Sequence, residues 1–157
     1  RGGGRHGGLY GYTGPGHTPA MVATGMFCRQ LDLVPPTDPR MPESAQLLKT
    51  HHINGTNPAY YYVYYGTLAL YQHQGPIWAD WNERLKETLP RLQKKNGAEA
   101  GSYDKGASHA AAGGRVVSTT LATLSLEVYY RLLPMYGFRN EDAVAPTLKI
   151  KGQVGKK

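Results

Sequence analysis

The sequence has few of the residues from which small-molecule sites are most often built. Its 157 residues include one cysteine, two phenylalanines and two tryptophans. With Cys28 alone, an intrachain disulfide and any metal site of several cysteines are excluded. Acidic residues number 11 against 18 lysines and arginines, and two of them adjoin only at Glu141-Asp142. The sequence therefore offers few residues for a catalytic or metal site that needs a cluster of carboxylates.

No apolar run is long and pure enough to span a membrane. The most apolar stretch, residues 116–133, carries no charge before Glu127 but holds several serines and threonines. A transmembrane helix needs about 20 predominantly apolar residues. We therefore predict no transmembrane helix. Because apolar residues fall on every side of this stretch, we predict that it is the innermost helix of an all-α fold.

Basic charge predominates, with a formal net charge of +7. A basic protein is a candidate for nucleic-acid binding when its cations share one face with aromatic residues. Here they gather instead in the last residues and beside glycines, and they do not alternate with aromatics on any one helix face. The distribution argues against nucleic acid as the partner.

Helix-start signals divide most of the chain into helical segments. A capping residue followed by proline favours a helix N-terminus. Such pairs are Thr18-Pro19, Asp38-Pro39 and Asn57-Pro58, with Gly75-Pro76 as a weaker version. The predicted helices are residues 19–31, 39–50, 58–73, 76–95 and a fifth that starts after Gly113-Gly114. Pro90 is expected to kink the fourth helix or to end it early.

Odd and even helices differ in character. The first, third and fifth are apolar on most faces, whereas the fourth is amphipathic. Its apolar stripe comprises Trp78, Trp81, Leu85, Leu89 and Leu92. The segments 24–28, 67–71 and 123–127 also align without gaps, about 43 and 56 residues apart, as in helical repeat arrays. The alternation predicts inner and outer layers built from stacked helical hairpins.

Both ends of the chain differ from the helical part. Residues 1–17 hold eight glycines but not the spacing of a phosphate loop, so we expect tight turns that place Leu9, Tyr10 and Tyr12 on neighbouring helices. The chain opens on RGGGRHGG without Met, so we expect a truncated N-terminus, and the compartment stays open. We divide the chain into a repeat segment, residues 1–138, and a basic, flexible tail, residues 139–157.

One further motif is short. Asn54-Gly55-Thr56 fits the pattern of an N-glycosylation acceptor, a pattern that also arises by chance.

Two segments resemble a known repeat signature. Gln93-Lys94-Lys95-Asn96-Gly97 followed by Gly101-Ser102-Tyr103 resembles the repeat of the squalene/hopene cyclase and prenyltransferase superfamily, with tyrosine where the signature has tryptophan. Residues 7–12 resemble the end of a preceding copy. Residues 113–137 resemble the closing inner helix of bacterial proteins with prenyltransferase and squalene oxidase repeats. The resemblance covers about residues 2–137.

The resemblance implies an α/α toroid, with inner helices around a cavity and outer helices behind them. About five main helices would form an incomplete ring. It also implies that the open repeat end is covered by the remainder of a longer chain or by another protein subunit.

The catalytic groups that the resemblance implies are not visible. Cyclases of the superfamily use an Asp-x-Asp-Asp cluster, which this sequence lacks. Protein prenyltransferases hold zinc with Asp, Cys and His, for which the candidates would be Asp104, Cys28 and His109, with His51-His52 nearby. Their spacing matches no ligand pattern. We expect no metal and no cofactor, and the catalytic residues stay unknown.

Tyrosines offer the clearest candidate site. Five of them crowd two turns of the third helix, between positions 60 and 65. One hypothesis is an aromatic-lined pocket for an isoprenoid-like apolar ligand, and the alternative is bulky core filler with hydroxyls at the rim. The predicted pocket residues are Tyr61, Tyr64, Tyr65, Thr120, Glu127 and Tyr130. Glu127 is either a buried acid of raised pKa or the partner of Arg131 one turn later.

The sequence therefore favours a non-catalytic or catalytically incomplete repeat domain that serves as a binding or interaction scaffold. The alternative is the C-terminal part of a cyclase-like enzyme that acts on a polyprenyl substrate.

Overall fold

The computed structural model describes residues 3–14 and 16–135, without the side chains at positions 109, 110 and 129. Within that part the chain is all-helical, with five α-helices and no strand, which confirms the predicted class. The helices are α1 (Pro19–Leu31), α2 (Arg40–Thr50), α3 (Tyr60–His73), α4 (Gly75–Leu92) and α5 (His109–Arg131). The proposed tail, residues 139–157, and its boundary at residue 138 lie outside the described part.

Helix starts follow the capping signals in two of three cases. The Thr18 hydroxyl accepts from the Met21 amide at 3.3 Å, and Asp38 Oδ1 accepts from the Arg40 amide at 3.0 Å. The prediction for Asn57-Pro58 is wrong, because α3 begins only at Tyr60 and its N-terminus has no side-chain cap.

A proline and a glycine also affect the end of α4 and the first part of α5. α4 ends at Leu92, two residues after Pro90, and not at residue 95, in keeping with the amide donor that proline removes. α5 begins at His109, but it consists of two helical stretches joined at Gly114, and its long stretch starts after Gly113-Gly114 as predicted. Gly114 has a φ of 65°, which breaks the regular helix and kinks α5 at that point.

The helix α3 lies at the centre of the fold. It packs against α1 on one flank and α5 on the other, while α2 and α4 pack behind the row that these three helices form. Ten of its 14 residues are buried. A buried hydrogen bond joins α1 to α3, in which Gln30 Nε2 donates to the Ala69 carbonyl at 2.9 Å.

The prediction that residues 116–133 form the innermost helix is wrong. One stripe of α5 is buried, formed by Ser118, Ala122, Ser125 and Val128, whereas Val116 on the opposite side is 77% exposed. The innermost helix is α3, because α3 has a neighbouring helix on each flank and α5 has one on a single flank.

The contact between α3 and α4 depends on a glycine, Gly66, which has no side chain. The indole ring of Trp81 lies over Gly66, where an added Cβ would come within 2.9 Å of the ring. Trp81 Nε1 donates to the Thr67 hydroxyl at 3.0 Å. Trp81, Leu85 and Leu89 are buried, which confirms the predicted apolar stripe of α4.

The glycine-rich N-terminal segment is held by a carboxylate. Glu43 on α2 accepts hydrogen bonds from the amides of His6 and Gly8, the latter at 2.7 Å. The backbone amides that might have held a phosphate thus bind a side chain of the same chain. Tyr10 packs on α1 as predicted, beneath the Arg29 guanidinium at 4.9 Å, but Tyr12 is 71% exposed, contrary to the prediction.

We expect Gly66→Ala to lower the free energy of unfolding by about 1–3 kcal/mol, because the new methyl group must displace Trp81. Urea unfolding followed by circular dichroism measures the change. Gly16→Ala is the matched control, since nothing lies within 4 Å of a Cβ at that position. Equal stability of the two variants would contradict this account of the α3–α4 contact.

We expect the substitution Glu43→Gln to remove a pH-dependent contribution to the free energy of unfolding. Burial acts to raise the pKa of Glu43, but the amide hydrogen bonds from Gly8, His6 and Arg5 outweigh it, so the pKa lies below 4.5. The stabilisation is fully present above pH 4.5 and is lost as the pH falls through the lowered pKa.

Unfolding in urea at neutral pH and at successively lower pH values tests this prediction. The wild-type protein should exceed the Glu43→Gln variant in stability at neutral pH, and the gap should close on acidification. Glu83→Gln, at an exposed position of α4, is the control. A gap that stays constant with pH would refute the role of the carboxylate.

Candidate functional site

Three half-buried tyrosines lie on one side of α3. Tyr61, Tyr64 and Tyr65 lie on one face of this helix, as positions one turn apart do, and we call them the tyrosine face. Tyr60 and Tyr62 point elsewhere and are buried. Two of the five tyrosines therefore fit the hypothesis of core filler, and three remain as candidates for a ligand surface.

The two buried tyrosines are core residues with partners. Tyr62 donates its hydroxyl hydrogen to the His51 carbonyl at 2.6 Å and meets Trp81 edge-on at 5.6 Å. Burial raises the pKa of Tyr60 to about 12. These side chains fit the interpretation as filler, since their bulk is buried and their hydroxyls reach polar groups or the rim.

The rings of the tyrosine face contact one another. The centroids of Tyr61 and Tyr65 are 4.7 Å apart with the planes tilted by 44°, and those of Tyr64 and Tyr65 are 5.3 Å apart at 70°. Such tilted and edge-on pairs are favourable beyond the area they bury. The face is therefore a pre-organised aromatic surface and not three independent side chains.

Residues of the flanking helices extend this surface. Phe27 of α1, Tyr64 and Tyr65 all pack against the small cluster formed by Leu68, Tyr71 and Val128. Cys28, also on α1, is exposed and lies within electrostatic range of the Tyr65 phenol. No pattern in the sequence indicates that Cys28 lies near Tyr65.

The chain after α5 is bound to the end of α3. The Tyr71 hydroxyl donates to the Leu132 carbonyl at 2.8 Å, and Gln72 Oε1 accepts from the Met135 amide at 2.6 Å. Gln72 Nε2 also donates to the Leu133 carbonyl at 3.3 Å. These bonds hold α5 against α3 and so position one flank of the tyrosine face.

The surroundings of Tyr65 favour its uncharged form. Burial is the main cause that raises the pKa of Tyr65 above its ordinary value, followed by the charge of Tyr61 and a hydrogen bond with its hydroxyl. Tyr65 therefore stays protonated at neutral pH. The face offers aromatic rings and hydroxyl groups, which suit an apolar or cationic ligand.

Three of the predicted pocket residues lie on α5. Thr120, Glu127 and Tyr130 share the exposed side of α5, with Tyr130 at 80% exposure. Glu127 is not buried, and its Oε2 accepts from Arg131 at 2.8 Å, so the predicted pairing is confirmed. Glu127 is also the only carboxylate in α1, α3 and α5.

The zinc candidates are engaged elsewhere. Asp104 pairs with Lys94 and with Arg115, each at 2.8 Å. His51 Nδ1 lies 3.0 Å from the Leu47 carbonyl, and the side chain of His109 is outside the description. Among the described residues no three His, Cys, Asp or Glu side chains are grouped as a metal would require.

The chain was compared with protein-family models, with curated proteins and with solved structures. No match was found in any of the three.

No helix in the described ranges combines the length and the hydropathy needed to cross a membrane.

We expect Tyr61→Phe to lower the pKa of Tyr65 without returning it to its ordinary value. The substitution removes the hydrogen bond and the charge of the Tyr61 phenol, while burial continues to raise the pKa of Tyr65. Carbon-13 NMR of labelled tyrosine rings over a pH titration measures the shift. Tyr12→Phe is the control, and an unchanged titration of Tyr65 in Tyr61→Phe would contradict the coupling.

Proposed function

We propose that the chain is a repeat segment of an α/α toroid of the squalene/hopene cyclase and prenyltransferase kind and that it serves as a binding or interaction scaffold. Its tyrosine face would receive an isoprenoid-like apolar ligand. The observation that carries the proposal is the half-buried, pre-organised aromatic surface on the central helix α3, with α2 and α4 packed behind it.

The loop between α4 and α5 supports the resemblance. Gln93 Nε2 donates to the Gly101 carbonyl at 2.9 Å, and the Lys94 amide donates to the Ser102 carbonyl at 2.9 Å. Tyr103 is 2% exposed and meets Tyr60 edge-on at 5.8 Å. A glutamine at a helix end, followed by glycines and then by an aromatic residue, is the order of residues in the repeat signature.

The lack of an available acid favours a scaffold over an enzyme. Protonation of an alkene demands a carboxylic acid inside a dry aromatic site. The one carboxylate on the three helices of the row, Glu127, is paired with Arg131 and partly exposed. The three helices around the tyrosine face thus provide aromatic rings but no carboxylic acid that is unpaired.

The exposed side of α5 supports the second part of the proposal, a protein partner. Uncharged or apolar side chains stand in solvent there, among them Val116, Val117 and Tyr130, with Leu133 beyond the helix at 82% exposure. Exposed apolar surface of this kind favours association. We propose that a further repeat, from the remainder of a longer chain or from another subunit, packs on this side as α5 packs on α3.

Farnesol, an uncharged isoprenoid alcohol, is a suitable probe for the tyrosine face. A ligand bound over Tyr65 should shield the neighbouring Cys28 thiol, so we expect farnesol to slow the alkylation of Cys28 by a maleimide. Tyr61→Ala should weaken this protection about tenfold in farnesol concentration, because an aromatic contact of about 1.4 kcal/mol is lost. Mass spectrometry of the alkylated protein gives the rates.

Tyr12→Ala is the matched control, since it removes an exposed tyrosine of the N-terminal segment. Protection that is absent, or equal in the Tyr61→Ala and Tyr12→Ala variants, would refute the ligand site. Incubation with squalene tests the alternative of a cyclase-like enzyme. We expect squalene to be recovered unchanged, and a cyclised product would favour the enzyme.

A further inference from the structure

The loop between α2 and α3 contains an asparagine whose side-chain oxygen is unusually well bonded. Asn54 is exposed, and its Oδ1 accepts three hydrogen bonds. The Thr56 amide and the Thr56 hydroxyl donate to it at 2.9 Å each, and the Asn57 amide donates at 3.0 Å. The next residue, Gly55, has no side chain to crowd the Asn54 amide. This arrangement has chemical consequences for the amide itself.

We propose that Asn54 is a site of spontaneous deamidation, promoted by the three donors on its Oδ1. The reaction needs only water as co-reactant. It makes the loop a site of covalent modification that is independent of the tyrosine face and of the proposed function.

The reaction proceeds through a five-membered ring. The Gly55 amide nitrogen attacks Cγ of Asn54, a bond forms between them, and the amide proton passes to water. Oδ1 carries the negative charge of the tetrahedral intermediate. The bond from Cγ to Nδ2 then breaks, and ammonia leaves after taking a proton from water. One water molecule opens the resulting succinimide to aspartate or isoaspartate, with no change of oxidation state.

The donors stand where negative charge develops. Hydrogen bonds directed at an oxygen that becomes an oxyanion stabilise the transition state more than the ground state. Two of the donors are backbone amides and the third is the Thr56 hydroxyl, so one can be removed by substitution without altering the main chain. In an exposed loop water competes with each donor, and we expect one hydrogen bond to change the rate about fivefold.

The product would alter the surface of the loop. It carries one additional negative charge, and isoaspartate also lengthens the main chain by one carbon. Arg91 of α4 donates to the Gly55 carbonyl at 3.3 Å, so the new carboxylate would form beside a guanidinium. Deamidation would therefore modify the contact between this loop and α4.

The chain contains its own comparison sites. Asn96-Gly97 is the same dipeptide in another exposed loop, and among the described residues no hydrogen bond reaches the Asn96 side chain. Asn57-Pro58 lies in the same loop as Asn54, but proline has no amide proton and cannot supply the nucleophile. A difference between Asn54 and Asn96 in one sample therefore reports the effect of the local structure alone.

The folded protein should be incubated at neutral pH and analysed over time by peptide mass spectrometry that resolves isoaspartate. We expect Asn54 to convert severalfold faster than Asn96, and the two rates to become similar in concentrated urea, where the hydrogen bonds are lost. Conversion of Asn57 should be slowest in both conditions. Equal rates in the folded protein, or a faster Asn96, would overturn the proposal, because the hydrogen bonds would then only restrain the Asn54 amide.

Two variants at position 56 test the donor directly. Thr56→Val removes the hydroxyl and keeps the shape, so the ratio of the Asn54 rate to the Asn96 rate should fall about fivefold. Thr56→Ser keeps the hydroxyl and should retain the ratio. Circular dichroism verifies that both variants are folded, and Asn96 in each sample corrects for any change in global stability. A ratio that is the same in both variants would refute a role for the hydroxyl.

Discussion

The packing of α3 between α1 and α5 is the contact on which the remaining structure depends. A helix with ten buried residues among 14 needs neighbours on almost every side. The row supplies two of them, and α4 closes in from behind because Gly66 admits the Trp81 ring. The side that carries Tyr61, Tyr64 and Tyr65 stays half-buried. The candidate site is thus the least buried part of the central helix.

Polar contacts at the ends of the helices give this arrangement its register. Hydrophobic burial is non-directional, so it does not by itself decide how two apolar helices align. Gln30 bonds to the backbone of α3, while Tyr71 and Gln72 bond to the chain after α5. Glu43 and Gln93 similarly hold the N-terminal segment and the loop after α4. Each of these hydrogen bonds contributes little free energy by itself, but each specifies one alignment of the segments that it joins.

The chemical character of the tyrosine face follows from its surroundings. Burial favours the uncharged form of a phenol, and the neighbouring phenols of Tyr61 and Tyr64 favour it further at Tyr65. The one carboxylate on the same three helices is neutralised by an arginine one turn away. A surface of aromatic rings with hydroxyl edges suits apolar or cationic groups.

The sequence alone determined the helices and their alternation. Helical periodicity, proline and the capping residues depend on local interactions, which is why α1, the buried stripe of α4 and the Glu127–Arg131 pair agreed with prediction. Only the tertiary structure decided which apolar helix is central, since the composition of α5 does not reveal that one of its sides lacks a neighbour. It also decided that Asn54 and not Asn57 organises the loop before α3, and that Cys28 lies beside Tyr65. The central position of α3 and the position of Cys28 depend on contacts between distant segments, which no local pattern encodes. The Asn54 bonds are local, but they depend on the conformation that the loop adopts in the fold.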